Sequence, residues 1–289
     1  ALQNRSPLPI IKPGTAALNA LSPDLEIWVR LGLFALMFLI LALAEVRWPR
    51  RQRNFSRQQR WATNLGLSLA NSLILRLLVP MAGVAGAVWA TDRDVGLFNL
   101  LTLPPWLEIA LFILLFDLTI YGQHRLFHAI PLLWRLHRVH HTDEDYDLTT
   151  GNRFHPLSIL LSALIKLALI VTLGASALAV LLAELILNLM SMFNHSNLGL
   201  PRAVDQILRT VIVTPDMHRI HHSRNQTEHN KNFGFNFSFW DRMLGTYLEA
   251  PEGSQESIVL GIDGFTGKTT RTIPALLKQP LLAPSIDEQ

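Results

Sequence analysis

Several apolar runs in this chain are long enough to cross a bilayer, and they limit its fold more than any other feature. A bilayer core about 30 Å thick asks for about 20 apolar residues in a helix. Lipid satisfies no backbone hydrogen bond, so only helices or closed barrels can cross it. The first run covers residues 31–44, extended by Ile27, Trp28 and Val29, with Trp28 and Trp48 at its ends where interfacial aromatics belong. The second covers about residues 64–90; Arg76 interrupts it, and Pro80, Gly83 and Gly86 kink or loosen it. The third covers about residues 105–121, with Glu108 near its start and Asp117 inside. The fourth, about residues 157–193, is too long for one span, and Gly174-Ala175-Ser176 near its middle predicts a helical hairpin of tightly packed or incompletely spanning halves. Lys166 and Glu184 are its ionisable members and are expected to face protein or the interface. Composition agrees: 49% of the residues are hydrophobic and 16% charged, against about 25% charged in ordinary globular domains, and mean hydropathy is +0.27.

Residues 47–60, between the first two runs, hold six arginines and no acid: Arg47, Arg50, Arg51, Arg53, Arg57 and Arg60. The positive-inside rule places this loop in the cytoplasm. The second run then leads out, the third returns, and the hairpin goes out and back. All of the histidine-bearing segments that follow emerge on the arginine side. An odd number of spans between them would have separated them.

Those histidines are the chemical signal. The chain has eleven, and eight fall into three clusters: His124 and His128 as HxxxH, then His137, His140, His141 and His218, His221, His222 as two copies of HxxHH. Residues three and four apart share a helix face, so each cluster presents two or three imidazoles side by side. Neutral imidazole is the commonest protein metal ligand. Each HxxHH trio can place two ligands on one metal and one on a neighbour, which supplies donors for two ions. A lone histidine is usually a satisfied core residue; three clusters at these spacings are not an accident of composition.

Around the clusters, Asp117, Tyr121, His124 and His128 form one helical stripe. Asp117 has two readings: a helix–helix hydrogen bond, or an acceptor for the far nitrogen of His124, as carboxylates behind ligating histidines often are. His195, after the hairpin's return, is expected to be a further ligand. His155, where the hairpin starts, is either a ligand or a support behind the ligands, and His229 reads as a loop or pocket residue. Arg125, Arg138 and Arg219 are expected to snorkel or to pair with Asp143, Glu144, Asp145, Asp147 or Asp216.

There is no cysteine, which excludes disulfides, Fe–S clusters and Cys-type zinc sites. A net charge of +3 does not indicate a nucleic-acid partner. The predicted fold is an all-α, multi-pass transmembrane bundle with a cytoplasmic helical cap carrying the histidine cluster. Residues 1–24 read as a lead-in, 25–250 as the membrane-embedded domain and 251–289 as a C-terminal tail.

With these motifs in hand, the chain resembles the fatty acid hydroxylase/sterol desaturase superfamily of integral-membrane histidine-box enzymes. The resemblance covers about residues 60–250. It rests on the three boxes in order with a membrane hairpin between the second and third. Arg153-Phe154-His155-Pro156, Asn194-His195, Thr214-Pro215-Asp216-Met217-His218, Asn232-Phe233-Gly234 and the segment from Trp240 to Thr246 are similar to family features. It implies O2-dependent hydroxylation or desaturation of a lipid C–H bond at two iron ions, with zinc as a possible substitute. The ligands it implies are His124, His128, His137, His140, His141, His195, His218, His221 and His222, with His155 less firmly matched and His229 outside. A lipid tail would enter from the bilayer. Electrons would come from a separate donor, cytochrome b5-like, ferredoxin or a reductase, because the chain has neither cysteines nor a GxGxxG dinucleotide fingerprint. A non-catalytic membrane metal-binding or transport protein and a di-zinc lipid hydrolase are the competing readings. Sterols, fatty acyl chains, ether lipids and carotenoids are all apolar enough to be the substrate.

Overall fold

The computed structural model describes residues 23–282, so most of the lead-in lies outside the described residues. The chain is all-helical, and among the described residues the only β-pairing is in isolated bridges. Four helices are long and apolar enough to cross a membrane: α1 (Pro23–Arg47), α5 (Pro105–Ala129), α7 (Pro156–Leu173) and α8 (Ala177–Asn194). At 1.5 Å per residue the two 25-residue helices measure about 37 Å and the two 18-residue ones about 27 Å. The expected hairpin is therefore present, and its halves fall slightly short of the hydrocarbon thickness of about 30 Å.

Local signals set these ends. Pro105 occupies the first turn of α5, where a missing N–H costs nothing. Gly174, with φ +65°, closes α7, and Ser176 caps α8 by accepting the Ala179 N–H. Glu108 in the first turn of α5 accepts the Ser176 N–H at 2.8 Å, which ties the start of one span to the turn between two others. The core between them is built from a periodic stripe. Phe112, Phe116 and Ile120 of α5 fill the space left by Ala179, Val180 and Ala183 of α8, with Ile170 of α7 behind. Small residues on one helix admit large ones from the other, which lets the backbones approach. In α1, by contrast, Trp28, Leu31, Leu36, Leu39, Ile40 and Leu43 are exposed, as a lipid-facing helix requires.

The second apolar run is not one kinked span. It forms α2 (Arg57–Leu78), a break at Pro80 and Gly83, and the short α3 (Val84–Thr91). Two asparagines and two serines on α2 lower its apolarity, and it is not among the four candidate spans. Gly83 has φ +66°, and a side chain there would strike the Glu184 carboxylate. Ala87 of α3 packs into the α5–α7–α8 core. Glu184 itself receives Arg30 of α1 at 2.8 Å and Lys166 of α7 at 3.7 Å, so the ionisable groups within the bundle face one another rather than lipid. The chain still reaches the far side of the bundle before α5 returns, so the histidine segments share one end.

The short α4 (Leu97–Leu100) stays at the hairpin turn, and at the histidine end the cap assembles from α6 (Pro131–His141), α9 (Arg202–Leu208), α10 (Pro215–His221), α11 (Gln226–His229), α12 (Phe239–Met243) and α13 (Ile273–Lys278). The arginine-rich loop is clamped into it. Arg60 binds Asp143 at 2.7 Å and also Asp147, Arg50 binds Asp216 at 2.7 Å, and Arg57 reaches Glu45 at 3.5 Å. Of the box arginines, Arg219 pairs with Asp216 at 2.6 Å, while Arg138 donates to the carbonyls of Gln279 and Leu282 and lies over the Phe265 ring. Those carbonyls belong to the segment read as the C-terminal tail. Residues 251–282 instead fold back over the cap: Leu276 is fully buried against Leu67 and Val139, and Glu144 accepts from Gly267 N and Thr270 Oγ1.

Candidate metal centre

Four segments of the chain converge at the cap end of the bundle. The last turns of α5 carry His124 and His128. The helix α6 carries His137, His140 and His141, and α10 with its C-cap carries His218, His221 and His222. His195 caps the end of α8. Thr214 starts α10 by accepting the Met217 N–H, which sets the phase of the third box. All nine except His128 are buried.

Their nitrogens fall into two groups, each with ligand atoms within 4.8 Å of one another. His124, His128, His137, His141 and His221 form one; His140, His195, His218 and His222 form the other. The two HxxHH boxes divide in opposite senses. The i and i+4 members of the second box join the first group and its i+3 member joins the second; in the third box the assignment is reversed. A helix face can do this because i+4 returns nearly over i while i+3 is offset to one side.

The donor set fits metal ions. His195 Nε2 stands 3.0 Å from His140 Nε2 and 3.1 Å from His218 Nε2, and His137 and His141 face each other at 3.2 Å. Imidazole–metal bonds of about 2.0–2.1 Å would space neighbouring nitrogens roughly 3.0–3.4 Å apart around one ion. His195 gives its Nδ1 proton to Ser191 O at 2.7 Å, His124 to Phe233 O at 2.9 Å and His221 to Lys231 O at 2.9 Å. Their Nε2 atoms therefore present lone pairs inward, the arrangement expected behind ligating histidines. His124 Nε2, both nitrogens of His128, His221 Nε2 and His222 Nε2 are buried without a partner. Each such atom costs about 1–3 kcal/mol, and the whole stability of a domain is about 5–15 kcal/mol. A cluster of this kind is tenable when an ion takes up the lone pairs.

Burial also fixes the charge state. His137, His140, His141, His218, His221 and His222 are pushed well below the ordinary histidine range by desolvation, with neighbouring imidazoles adding to it. Desolvation takes His195 down to about 3, the Ser191 carbonyl opposing it. The neutral form, which is the ligand form, is favoured throughout.

Two sequence expectations are corrected. Asp117 does not reach His124. Seven residues of helix separate them by about 10 Å, and the carboxylate instead accepts the N–H groups of Asn236 (3.1 Å), Phe237 (3.0 Å) and the Trp240 indole (3.0 Å). It anchors the loop whose Phe233 carbonyl holds His124, so its influence on the ligand runs through the backbone. His155 is in neither group. Its Nδ1 accepts the Leu157 N–H as the N-cap of α7, and its Nε2 contacts Leu277 O at 3.3 Å. In the Arg153-Phe154-His155 motif it is Phe154 that faces the centre. The Phe154 ring stacks on His140 at 4.4 Å, and Arg153 donates to Val139 O, Thr142 Oγ1 and Thr270 O. His229 lies outside both groups but against them, its ring 4.7 Å from that of His128 and 4.6 Å from that of His141.

Two cavities reach the centre. One of about 210 Å³ opens among α2, α5, α7 and α8 and touches His124, His137 and His140. The other, about 140 Å³, lies on the cap side between Trp134, Arg224, His229 and Asp263 and touches His128. Trp134 and the carbonyls of Ser191, Lys231 and Phe233 were not singled out by sequence; a backbone acceptor carries no residue-type signal.

The fatty acid hydroxylase family model matches residues 109–246, a stretch that contains all nine clustered histidines. These residues form a fatty acid hydroxylase domain. The domain is similar to an ornithine lipid hydroxylase of Rhizobium tropici, 29% identical over 61% of this chain and 51% of that protein. It is 32% identical to the human alkylglycerol monooxygenase over 61% of this chain and 36% of that protein. A rat cholesterol 25-hydroxylase is 26% identical over 51% of this chain and 49% of its own length. The chain thus spans about half or less of the relatives it matches. No solved structure matches. The relatives are lipid-modifying oxidoreductases. Outside the matched stretch of the hydroxylase domain lie α1, α2 with Arg60, and the strap over the cap.

Proposed function

We propose that this protein is a membrane-bound di-iron lipid oxygenase, a hydroxylase in preference to a desaturase. The observation that carries the reading is the division of nine histidines into two facing groups beside a cavity among the spanning helices. His124, His128, His137, His141 and His221 would hold one iron, and His140, His195, His218 and His222 the other. When bound, the irons supply activation of O2 and the cleavage of an unactivated C–H bond.

The chain's own residues do the rest. Ser191, Lys231 and Phe233 carbonyls keep three imidazoles in the Nδ1–H tautomer. Phe154, stacked on His140, and Phe235 give the membrane-side cavity apolar surface beside the histidines. A lipid lodged there puts a carbon toward His124, His137 and His140. For hydroxylation the balance is R–H, O2, two electrons and two protons giving R–OH and water. The electrons come from a separate donor, since the chain contains no cysteine to ligate a cluster. The cap-side cavity at His128 and Trp134 is the polar approach. With the arginine loop in the cytoplasm, the centre lies on the cytoplasmic face.

Metal analysis of purified protein with a Mössbauer spectrum tests this. About two irons per chain with a coupled spectrum, and lipid oxidation that consumes O2, are the expected results. Zinc that persists after expression in iron-rich medium, with no O2 uptake on iron reconstitution, overturns the reading in favour of a hydrolase or a metal-handling protein.

A further inference from the structure

The membrane-side cavity is less greasy than a slot for a plain hydrocarbon. Ser158, Ser162 and Lys166 line it from α7 at i, i+4 and i+8, a stripe about 12 Å long. Ser68, Asn71 and Ser72 line it from α2, and Gln123 from α5. Three of its amide atoms are buried and have no partner: Asn71 Oδ1, Gln123 Oε1 and Asn152 Nδ2. The orientation of Asn71 is set, because its Nδ2 donates to Phe154 O at 2.8 Å. A buried amide atom left unpaired is costly and rare, and three on residues that line one cavity mark a recognition site rather than three defects.

Their position within the cavity matters. Gln123 immediately precedes His124. Asn71 holds the backbone of Phe154, whose ring lies on His140, and Asn152 is two residues from Phe154. The amides therefore cluster at the histidine end and not at the Lys166 end.

We propose that this cavity takes an amphiphilic lipid by a neutral hydrogen-bonding group, a hydroxyl or a secondary amide, held by Asn71, Gln123 and Asn152. Two carbonyl oxygens ask for donors and one amide N–H asks for an acceptor, which a hydroxyl or an N-substituted amide provides. A carboxylate or phosphate would meet the Asn71 and Gln123 lone pairs and be repelled. The carbon that reaches the histidines then lies within a few bonds of that polar group, and the remainder of the chain runs toward Lys166. This rests on the oxygenase reading for the role of the centre, though not for the binding itself.

The test is binding without turnover. The zinc-loaded full chain in one detergent is titrated with 1-dodecanol, N-methyldodecanamide, dodecyl methyl ether and dodecanoate, with complexes counted by native mass spectrometry. The alcohol and the amide are expected to bind about tenfold more tightly than the ether, equivalent to roughly 1.4 kcal/mol. In Gln123→Met, which loses only the amide, the preference should fall to about threefold or less. Asn71→Leu should behave likewise, with its metal content and melting temperature measured because it also loses the bond to Phe154. No preference in the unaltered protein, or a preference intact in Gln123→Met, overturns the assignment. So does tightest binding by dodecanoate independent of Gln123, which would give the cavity to an anion at Lys166. Neither O2 nor electrons enter this measurement, so failure of the oxygenase reading would leave its result unchanged.

Discussion

Asp117 in α5 and Trp240 in α12 are joined by a 3.0 Å hydrogen bond from the indole N–H to the carboxylate, across 123 residues of sequence. The same carboxylate holds Asn236 N and Phe237 N, and so fixes the segment whose Phe233 carbonyl orients His124. Asp117→Asn should leave at least one of these N–H groups facing an amide NH2. The expected result is a loss of metal affinity of about 10–100-fold, the size seen when partners behind ligating histidines are removed. Competition with a chelator measures it. Unchanged affinity would mean that the loop holds itself without Asp117.

The opposed division of the two HxxHH boxes predicts a specific pattern of metal loss. His141→Ala removes a nitrogen from the five-histidine group, and His222→Ala one from the four-histidine group. Each single variant should keep one metal and release the other under chelator challenge, and the double variant should release both under the same challenge. Elemental analysis after desalting counts them. Simultaneous loss of both metals from either single variant would mean that the groups are not separable sites.

His155 acts as a helix cap, so its replacement should be structural. Removing an N-cap side chain costs about 0.5–2 kcal/mol. His155→Ala is expected to lower the melting temperature by a few degrees and to keep the metal content of the unaltered protein. Loss of metal without loss of stability would return His155 to the ligand set.

Leu276 of α13 is fully buried against Leu67 and Val139, beneath the histidine-bearing α6. Leu276→Ala should destabilise by about 2–5 kcal/mol through lost transfer energy and the cavity left behind. Denaturant unfolding in detergent checks it. A change under about 0.5 kcal/mol, the size typical of surface substitutions, would show that the strap contributes nothing to the cap.

The depressed histidines give the metal-free protein a defined pH dependence. Desolvation lowers His195 to about 3 and His229 to about 4, and holds the other cap histidines well below their ordinary range. In the unfolded chain each titrates near 6.5. Below that value the unfolded state binds more protons, so stability falls as pH drops. The stability is complete above about pH 6.5 and is lost progressively toward pH 4 and 3. Thermal melts of metal-stripped protein from pH 8 to 4 should fall monotonically, while metal-loaded protein should hold until it releases its ions in the same window. A flat apo profile would contradict the burial.

Much of this protein is legible in its residues alone, for local reasons. Helical periodicity and the 3,4 spacing of histidines are set within a few turns, so the hairpin, its Gly174 turn and the paired faces of both HxxHH boxes follow from the chain itself. So do the apolar lengths of α1, α5, α7 and α8. The tertiary structure decided what depends on contacts between distant segments. It brought His140 and His218, far apart in sequence, to 3.0 and 3.1 Å from His195, the three coming from different elements. It turned Asp117 toward the 236–240 loop, made His155 a cap, and turned the stretch after residue 250 into a strap over Arg138, Leu67 and Val139. For Asp117, His155 and Arg138 the partners are mainly backbone N–H groups and carbonyls. Such groups are common to every residue type, so only their placement in space identifies them.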